Sequence, residues 1–328
     1  HNRCRRQRQM CIRDSAVLAC FACLLWLRLD TNTHAPMAKR RQDTLPAVRL
    51  PLSTGVDESS IDVYLPQVNI VESWKGNAIL IVPGGAYNAP NYRWAKIHEG
   101  AHVARWIVSM GMMAVVLDYR LPQGRPWLPL SDALRAIETV RQEYSVAKSR
   151  THHGKTWPIE RVGVMGFSAG GHLAATAATL FTSAANRPDF AMLMCSRRLS
   201  TPPQHAASAR RFIAGRYPVV TMRSPLAHRM TRRNLFGSGP IDAALVDAYS
   251  AERHVTRRTP PAFVAHARDD DIVSWRHAEL FCNASHAHGV PCDFLQLRRG
   301  GHAFVTRQQP WGECKAAAAA WLRSRGLT

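Results

Sequence analysis

Gly166-Phe167-Ser168-Ala169-Gly170-Gly171-His172 follows a short apolar run, Arg161-Val162-Gly163-Val164-Met165, and precedes an alanine-rich stretch, His172–Phe181, in this chain of 328 residues. The pattern G-x-S-x-G therefore sits between a predicted strand and a predicted helix, the context in which it has mechanical meaning. A nucleophile on so sharp a turn adopts strained backbone angles, and a bulky side chain two positions away would collide with the crossing chain. Gly166 and Gly170 remove that collision. The turn lifts the Ser168 hydroxyl above the sheet and aims the N–H of Ala169 into the same space, at a helix N-terminus whose dipole favours negative charge.

Outward from this turn, strands and helices alternate. Ile61–Leu65 shows period-two alternation, as a half-buried strand should. Ala78-Ile79-Leu80-Ile81-Val82 is a continuous apolar run stopped by Pro83-Gly84-Gly85, which fits a central parallel strand feeding a loop. His102, Val103, Trp106, Ile107 and Met110 recur at helical spacing before Gly111, and Met113–Tyr119 reads as the next strand. Ser131–Val146 is amphipathic and helical. Ala262–His266 and Asp293–Leu297 are strands around a helix at Ser274–His288, and a last helix runs from Trp311 to Arg323. There is no internal repeat. Repeated strand, helix, strand predicts an α/β fold: a mostly parallel central sheet with helices on both faces.

A serine hydroxyl needs a base, and the base needs an acid to orient it. Phe263–Val273 places Asp269, Asp270 and Asp271 just after a strand, and Arg299-Gly300-Gly301-His302-Ala303-Phe304 puts a histidine on a glycine-rich loop after the next one. The order Ser, Asp, His is that of the α/β-hydrolase plan. Upstream, Val82-Pro83-Gly84-Gly85-Ala86-Tyr87 follows an early central strand, where such enzymes place a further oxyanion donor.

With these pieces the chain resembles α/β-hydrolase esterases of the acetyl-xylan-esterase and carbohydrate-esterase-like type. The likeness extends through His98-Glu99-Gly100, Ala104-Arg105-Trp106, Tyr119-Arg120-Leu121-Pro122, Asp132-Ala133-Leu134-Arg135, Tyr217-Pro218-Val219-Val220 and Arg232-Arg233-Asn234-Leu235, across residues 45–328. The resemblance implies Ser168 as nucleophile, His302 as base and Asp270 as orienting acid, two residues before the paired Val-like positions, here Ile272-Val273. Asp269 and Asp271 are then solvated or loop-stabilising. The expected chemistry is two-step acyl transfer on a small-molecule or oligosaccharide ester, with N–H groups of Ala169, Ala86 and Gly85 receiving the oxyanion and no metal or organic cofactor. Tyr87, Tyr92 and Trp94 are candidates for the pocket wall, since Asn88–Ile97 is longer than usual, while Trp94, Trp106 and Trp127 are expected to pack more than to serve as sugar platforms, Trp94 lying near the predicted mouth. A second departure matters more. The segment 195–216 interrupts what family members run as Tyr-Pro-Val-Val directly after a strand like Phe190–Met194, and a buried strand tolerates interruption badly. An amidase, peptidase or lipase with the same triad is the alternative enzyme, and an inactive scaffold is the outcome if the insertion displaces Asp270 and His302.

Composition narrows the partners. The formal charge is +20, yet residues 1–41 hold nine Lys/Arg against Asp14 and Asp30, and no later basic block resembles a nucleic-acid arm. A basic solvated surface, without specific nucleic-acid binding, is the reading. Residues 1–44 are a leader outside the core. Its apolar run Ala16–Leu27 is too short to span a bilayer, which takes about 20 residues, but suits a signal peptide followed by Thr33-His34-Ala35, hence a secreted or periplasmic protein. A spurious upstream extension on a cytoplasmic protein is the alternative. Of Cys282, Cys292 and Cys314, two could pair in an oxidising compartment, or all could be buried thiols. His172 at the helix start and His266 at a strand end are expected to pack or hydrogen-bond, and no spacing suggests a metal site. Oligomeric state is not legible.

Overall fold

Six consecutive residues, Asn77–Val82, are buried along their whole length, as a strand covered on both faces must be. In the computed structural model this is the third of ten strands among the described residues: β1 (Val48–Pro51), β2 (Ser60–Tyr64), β3 (Asn77–Val82), β4 (Met113–Asp118), β5 (Thr151–His152), β6 (Lys155–Thr156), β7 (Arg161–Phe167), β8 (Ala191–Met194), β9 (Ala262–Ala267) and β10 (Cys292–Leu297). The described residues are 48–53, 58–66, 74–148, 151–152, 154–194, 218–300 and 308–328. The leader, the segment 195–216 and His302 lie outside them.

The main sheet has the order β1-β2-β4-β3-β7-β8-β9-β10, and β5 pairs with β6 in a separate hairpin. β1 and β2 are antiparallel to each other, and β2 is antiparallel to β4. From β4 onward every pairing is parallel. The crossovers carry α1 (Ala89–Ala95), α2 (Ala101–Ser109), α3 (Trp127–Glu143), α4 (Ala169–Thr179), α5 (Arg229–Phe236), α6 (Ala243–Ala248) and α7 (Arg276–Ala287), and α8 (Gln308–Ser324) follows β10. Between α1 and α2 the chain makes a π-helical turn, Lys96–Gly100.

The predicted alternation is what folds, with differences of extent: α4 begins at Ala169 rather than His172 and α8 at Gln308 rather than Trp311. The helix expected from Ser131 begins at Trp127, where Pro126 and Pro129 are accommodated in its first turn, which has no intrahelical donors to lose. The stretch before His102 is helical too, because Ala89–Gly100 continues into α2 through the π turn.

Polar side chains inside the fold are tied to the sheet ends. Asp132 on α3, 1% exposed, accepts from the Arg120 guanidinium at 2.5 Å, from the Arg120 N–H at 2.9 Å and from the Ser59 hydroxyl at 3.0 Å. Those donors fix the chain just beyond β4, and breaking such a buried pair on one side costs about 3–5 kcal/mol. Cys282 on α7 and Cys292 at the start of β10 form a disulfide, while Cys314 is a buried free thiol.

One consequence positions the chemistry. β3, β7, β8, β9 and β10 are mutually parallel, so their carboxyl ends lie along one edge. The loops beginning at Pro83, Ser168, Arg268 and Arg298 all leave from that edge, where open α/β sheets place their ligands.

Candidate active site

Ser168 stands between β7 and α4 with φ 57° and ψ −119°, a backbone conformation that costs a side-chain-bearing residue about 1–3 kcal/mol. The glycines around it are there because nothing else fits. A Cβ on Gly166 would overlap the Gly170 carbonyl oxygen, and one on Gly170 would overlap the carbonyl oxygens of Val82 and Pro83. The strand, the turn and the neighbouring β3 loop thus close on one another through bare backbone.

That β3 loop carries the other predicted donors. Gly85, Ala86 and Tyr87 have φ of 116°, 52° and 55°, three successive residues outside the usual territory of L-amino acids. Its peptide planes are held individually. The Tyr119 hydroxyl donates to the Pro83 carbonyl at 2.9 Å, and the Gly84 N–H donates to the buried Glu99 carboxylate at 2.8 Å. The Asn88 N–H donates to the Gly85 carbonyl at 2.9 Å, and Asn234 Nδ2 donates to the Ala86 carbonyl at 2.7 Å. In a trans peptide the C=O and the following N–H point in opposite directions, so the bond to the Gly85 carbonyl also sets where the Ala86 N–H points. Among the described residues, no acceptor is bonded to the N–H of Gly85, Ala86 or Ala169. Gly84 lies against the nucleophile turn: a Cβ there would be 3.1 Å from Ser168 Cβ.

Asp270 follows β9. Its Oδ1 accepts from the N–H groups of Ile272 at 2.9 Å and Val273 at 3.0 Å, closing a side-chain turn. Its Oδ2 lies 2.9 Å from His266 Nε2, and neither side chain is exposed. His266 Nε2 also faces the Val273 carbonyl at 3.1 Å, which can only accept, so that nitrogen carries the proton. Burial pushes the His266 imidazole down from its ordinary value, and the hydrogen bond to the Val273 carbonyl opposes that shift. Asp269 instead accepts from the Gly300 N–H at 3.3 Å, which draws the start of the loop after β10 to the acid loop. The segment 301–307, with His302, lies beyond the described residues.

Ser168 and Asp270 therefore leave the same sheet edge on β7 and β9, with β8 between them. A cleft of about 690 Å³ lies at Asp270, beside Leu226, His228, Arg268 and Trp275. A second, of about 890 Å³, lies between Asn88 of the β3 loop, the Gln123-Gly124 turn and Arg229, Arg233 and Asn234 of α5. The two adjoin at Arg229 and Met230.

Two of the aromatic residues expected at a pocket wall are hydrogen-bonded inside the fold. Tyr87 and Tyr92 are buried, 4% and 6% exposed, and line neither cleft. Tyr87 Oη bonds His172 Nδ1 at 2.9 Å, and Tyr92 Oη donates to Asp118 at 2.9 Å while accepting from the Tyr119 N–H at 3.0 Å. Each phenol finds its partner inside the fold, so the ring turns inward. Trp94, half-buried, packs on His98 at 4.3 Å between ring centroids. Sequence reasoning gave no separate role to Glu99, Asn234 or His277. A signal existed for Glu99, which precedes the buried Val103 and Ile107 at helical spacing and so places a carboxylate on an apolar stripe. No group of three or more His, Cys, Asp or Glu among the described residues is arranged to hold a metal ion.

A family profile described as the alpha/beta hydrolase fold matches residues 80–306. The chain is 29% identical over 238 residues to an acetylxylan esterase of Xylanibacter ruminicola, covering 71% of this chain and 42% of that protein. It is also 29% identical over 238 residues to an endo-1,4-beta-xylanase B of Butyrivibrio fibrisolvens, covering 70% of this chain and 33% of the other. It thus spans less than half the length of these two curated relatives. Among solved structures, an acetyl ester-xyloside bifunctional hydrolase of Caldicellulosiruptor lactoaceticus superposes with a TM-score of 0.68 at 27% identity, over 87% of this chain and 98% of that one.

Proposed function

The chain belongs to the α/β-hydrolase fold family, and on that premise we propose that it is a serine carboxylic-ester hydrolase that removes small acyl groups, acetyl foremost, from a carbohydrate. The observation that carries this reading is the left-handed turn at Ser168, packed against a β3 loop whose Gly85 and Ala86 N–H groups have no acceptor among the described residues. The esterase relatives support the reaction class, and the acetylxylan esterase and acetyl ester-xyloside hydrolase support an acetylated sugar as substrate.

In this mechanism His302 takes the Ser168 proton as the hydroxyl oxygen attacks the ester carbonyl, and the carbonyl electrons move onto oxygen. The N–H groups of Ala169, Ala86 and Gly85 receive that charge, each such donor contributing about 2.7–4 kcal/mol. Asp270, already bonded by three donors, orients the imidazole. The alcohol leaves with the proton, and water releases the acyl group by the reverse path. The cleft beside Asn88 gives a sugar-sized alcohol room next to the oxyanion loop. Export agrees with the leader and with the Cys282–Cys292 disulfide, since such bonds persist in oxidising compartments. No helix among the described residues is long and apolar enough to cross a membrane.

The test is hydrolysis of p-nitrophenyl acetate, labelling by a fluorophosphonate and acetate release from acetylated xylan. Ser168→Ala is expected to abolish labelling and lower turnover on the order of 10⁶-fold. Near-normal turnover in that variant ends the serine mechanism, and release confined to long acyl chains ends the acetyl assignment.

A further inference from the structure

The β3 loop is anchored to α5 through Asn234 and to the π turn through Glu99. A further side-chain bond runs from it to the helix that begins at Ser168. Tyr87 Oη lies 2.9 Å from Nδ1 of His172, the fourth residue of α4, whose own N–H donates to the Ser168 carbonyl at 3.0 Å. The other ring nitrogen, Nε2, lies 2.7 Å from the Tyr249 carbonyl. A carbonyl only accepts, so Nε2 carries the proton. Burial holds the imidazole neutral, with its titration lowered to about 4, which leaves Nδ1 as an acceptor and makes the Tyr87 hydroxyl the donor. One tautomer and one direction of each bond follow. Tyr87 and His172 are almost wholly buried, and their rings meet edge to face at 6.0 Å.

We propose that His172 is a positioning residue: through the Tyr87 hydroxyl it ties the oxyanion loop to the nucleophile's own helix, so that the Gly85 and Ala86 donors keep one geometry relative to Ser168. Three consecutive residues at positive φ do not hold that shape by local preference. The anchors at Glu99 and Asn234 hold the loop to elements that do not carry Ser168. The Tyr87–His172 bond sets the distance that matters to the transition state, in which a loop displaced by a fraction of an ångström loses its hydrogen bonds to the oxyanion while substrate still binds. The proposal rests on the esterase reading above.

Tyr87→Phe removes the hydroxyl and keeps the ring contacts. The measurements are kcat and KM for p-nitrophenyl acetate and the inhibition constant of an alkyl trifluoromethyl ketone, whose serine adduct carries the oxyanion. The expected result is a kcat about tenfold lower, the worth of one buried hydrogen bond, with KM within twofold and the inhibitor weakened by the same factor as kcat. His172→Gln, which keeps an acceptor and a donor, serves as the second variant and is expected to fall between wild type and Tyr87→Phe. The Tyr87→Phe, His172→Gln double variant should lose no more than Tyr87→Phe alone, because both act on one bond. The proposal is overturned if folded Tyr87→Phe matches wild type in kcat and inhibitor affinity, if only KM changes, or if the two losses multiply. Those outcomes leave the esterase reading intact as long as Ser168→Ala is inactive; an active Ser168→Ala removes that reading instead.

Discussion

Acid should unfold this protein in a pH window to which two buried imidazoles, His172 and His277, contribute alongside the buried His266. His277 Nδ1 accepts from the N–H groups of Val220 at 3.0 Å and Thr221 at 3.2 Å, and its Nε2 donates to the Leu226 carbonyl at 3.0 Å. A proton on Nδ1 would face two donors. His172 is likewise committed on both nitrogens. Burial lowers each ring from 6.5 to about 4. The folded-state value lies below the unfolded one, so the unfolded chain binds protons first. Their contribution is fully present above pH 6.5, falls as the pH drops, and levels off below about 4, while His266, lowered by burial to about 3, extends the fall. Between pH 7 and pH 5 the loss is about 2 kcal/mol per ring, about 4 kcal/mol for the pair, against a total of about 5–15 kcal/mol for a domain. Urea unfolding followed by tryptophan fluorescence at pH 7, 6 and 5 measures it. His277→Gln, which cannot titrate, should lower stability at pH 7 yet remove about 2 kcal/mol of the loss between pH 7 and pH 5. A midpoint that stays level from pH 7 to pH 5, or a slope unchanged in the variant, refutes the assignment.

Other expectations follow from the same structure. Gly170→Ala would press a methyl group into the carbonyl oxygens of Val82 and Pro83, so it should cost at least about 1–3 kcal/mol in thermal or urea unfolding and misplace the oxyanion loop; an unchanged melting temperature contradicts the packing described. Asp270→Asn exchanges an acceptor for a donor facing either His266 or two backbone N–H groups, and should lower kcat on the order of 10⁴-fold with KM little changed; a loss below about tenfold points to another acid. Reducing the Cys282–Cys292 bond, which closes a loop with a sequence separation of 10, should lower unfolding stability by about 2–3 kcal/mol, and Cys282→Ser should abolish the sensitivity to reductant.

The elements most legible in the sequence were those whose signal is local. The apolar run at Ala78–Val82 could only be a doubly covered strand, and the Gly-x-Ser-x-Gly turn announces its own backbone strain. Side-chain direction was less accessible. Tyr87 and Tyr92 read as pocket candidates because Asn88–Ile97 looks longer than usual, but the partners that fix their phenols, His172 and Asp118, come from residues far along the chain. Trp127, expected to pack, is 55% exposed because its helix starts earlier than the apolar stripe suggests. His277 resembled any helical histidine; only the return of the chain at Val220 gives it two donors to accept.

That return also bears on the segment 195–216, which the sequence suggested would break a buried strand. In this sheet the residue after a paired position donates to the residue opposite: Ala267 pairs with Leu297, and the Arg268 N–H donates to the Leu297 carbonyl at 2.8 Å. Met194 pairs with Phe167 at the end of β8. The next rung is present, because the Val219 N–H donates to the Ser168 carbonyl at 3.2 Å, which puts Pro218 opposite Ser168. The chain therefore returns one register position beyond where β8 stopped, and β9 pairs with β8 undisturbed. A chain lacking residues 195–217, with Met194 joined to Pro218, should keep the ladder. Closing a loop of that length costs roughly 3 kcal/mol of chain entropy, so the shortened protein should be as stable as the parent or more stable by up to that amount, measured by urea unfolding. Its Asp270 and Ser168 would remain on the same edge, and ester turnover should persist. An insoluble product, or one that unfolds without a cooperative transition, would show that the two flanks are not neighbours on one strand.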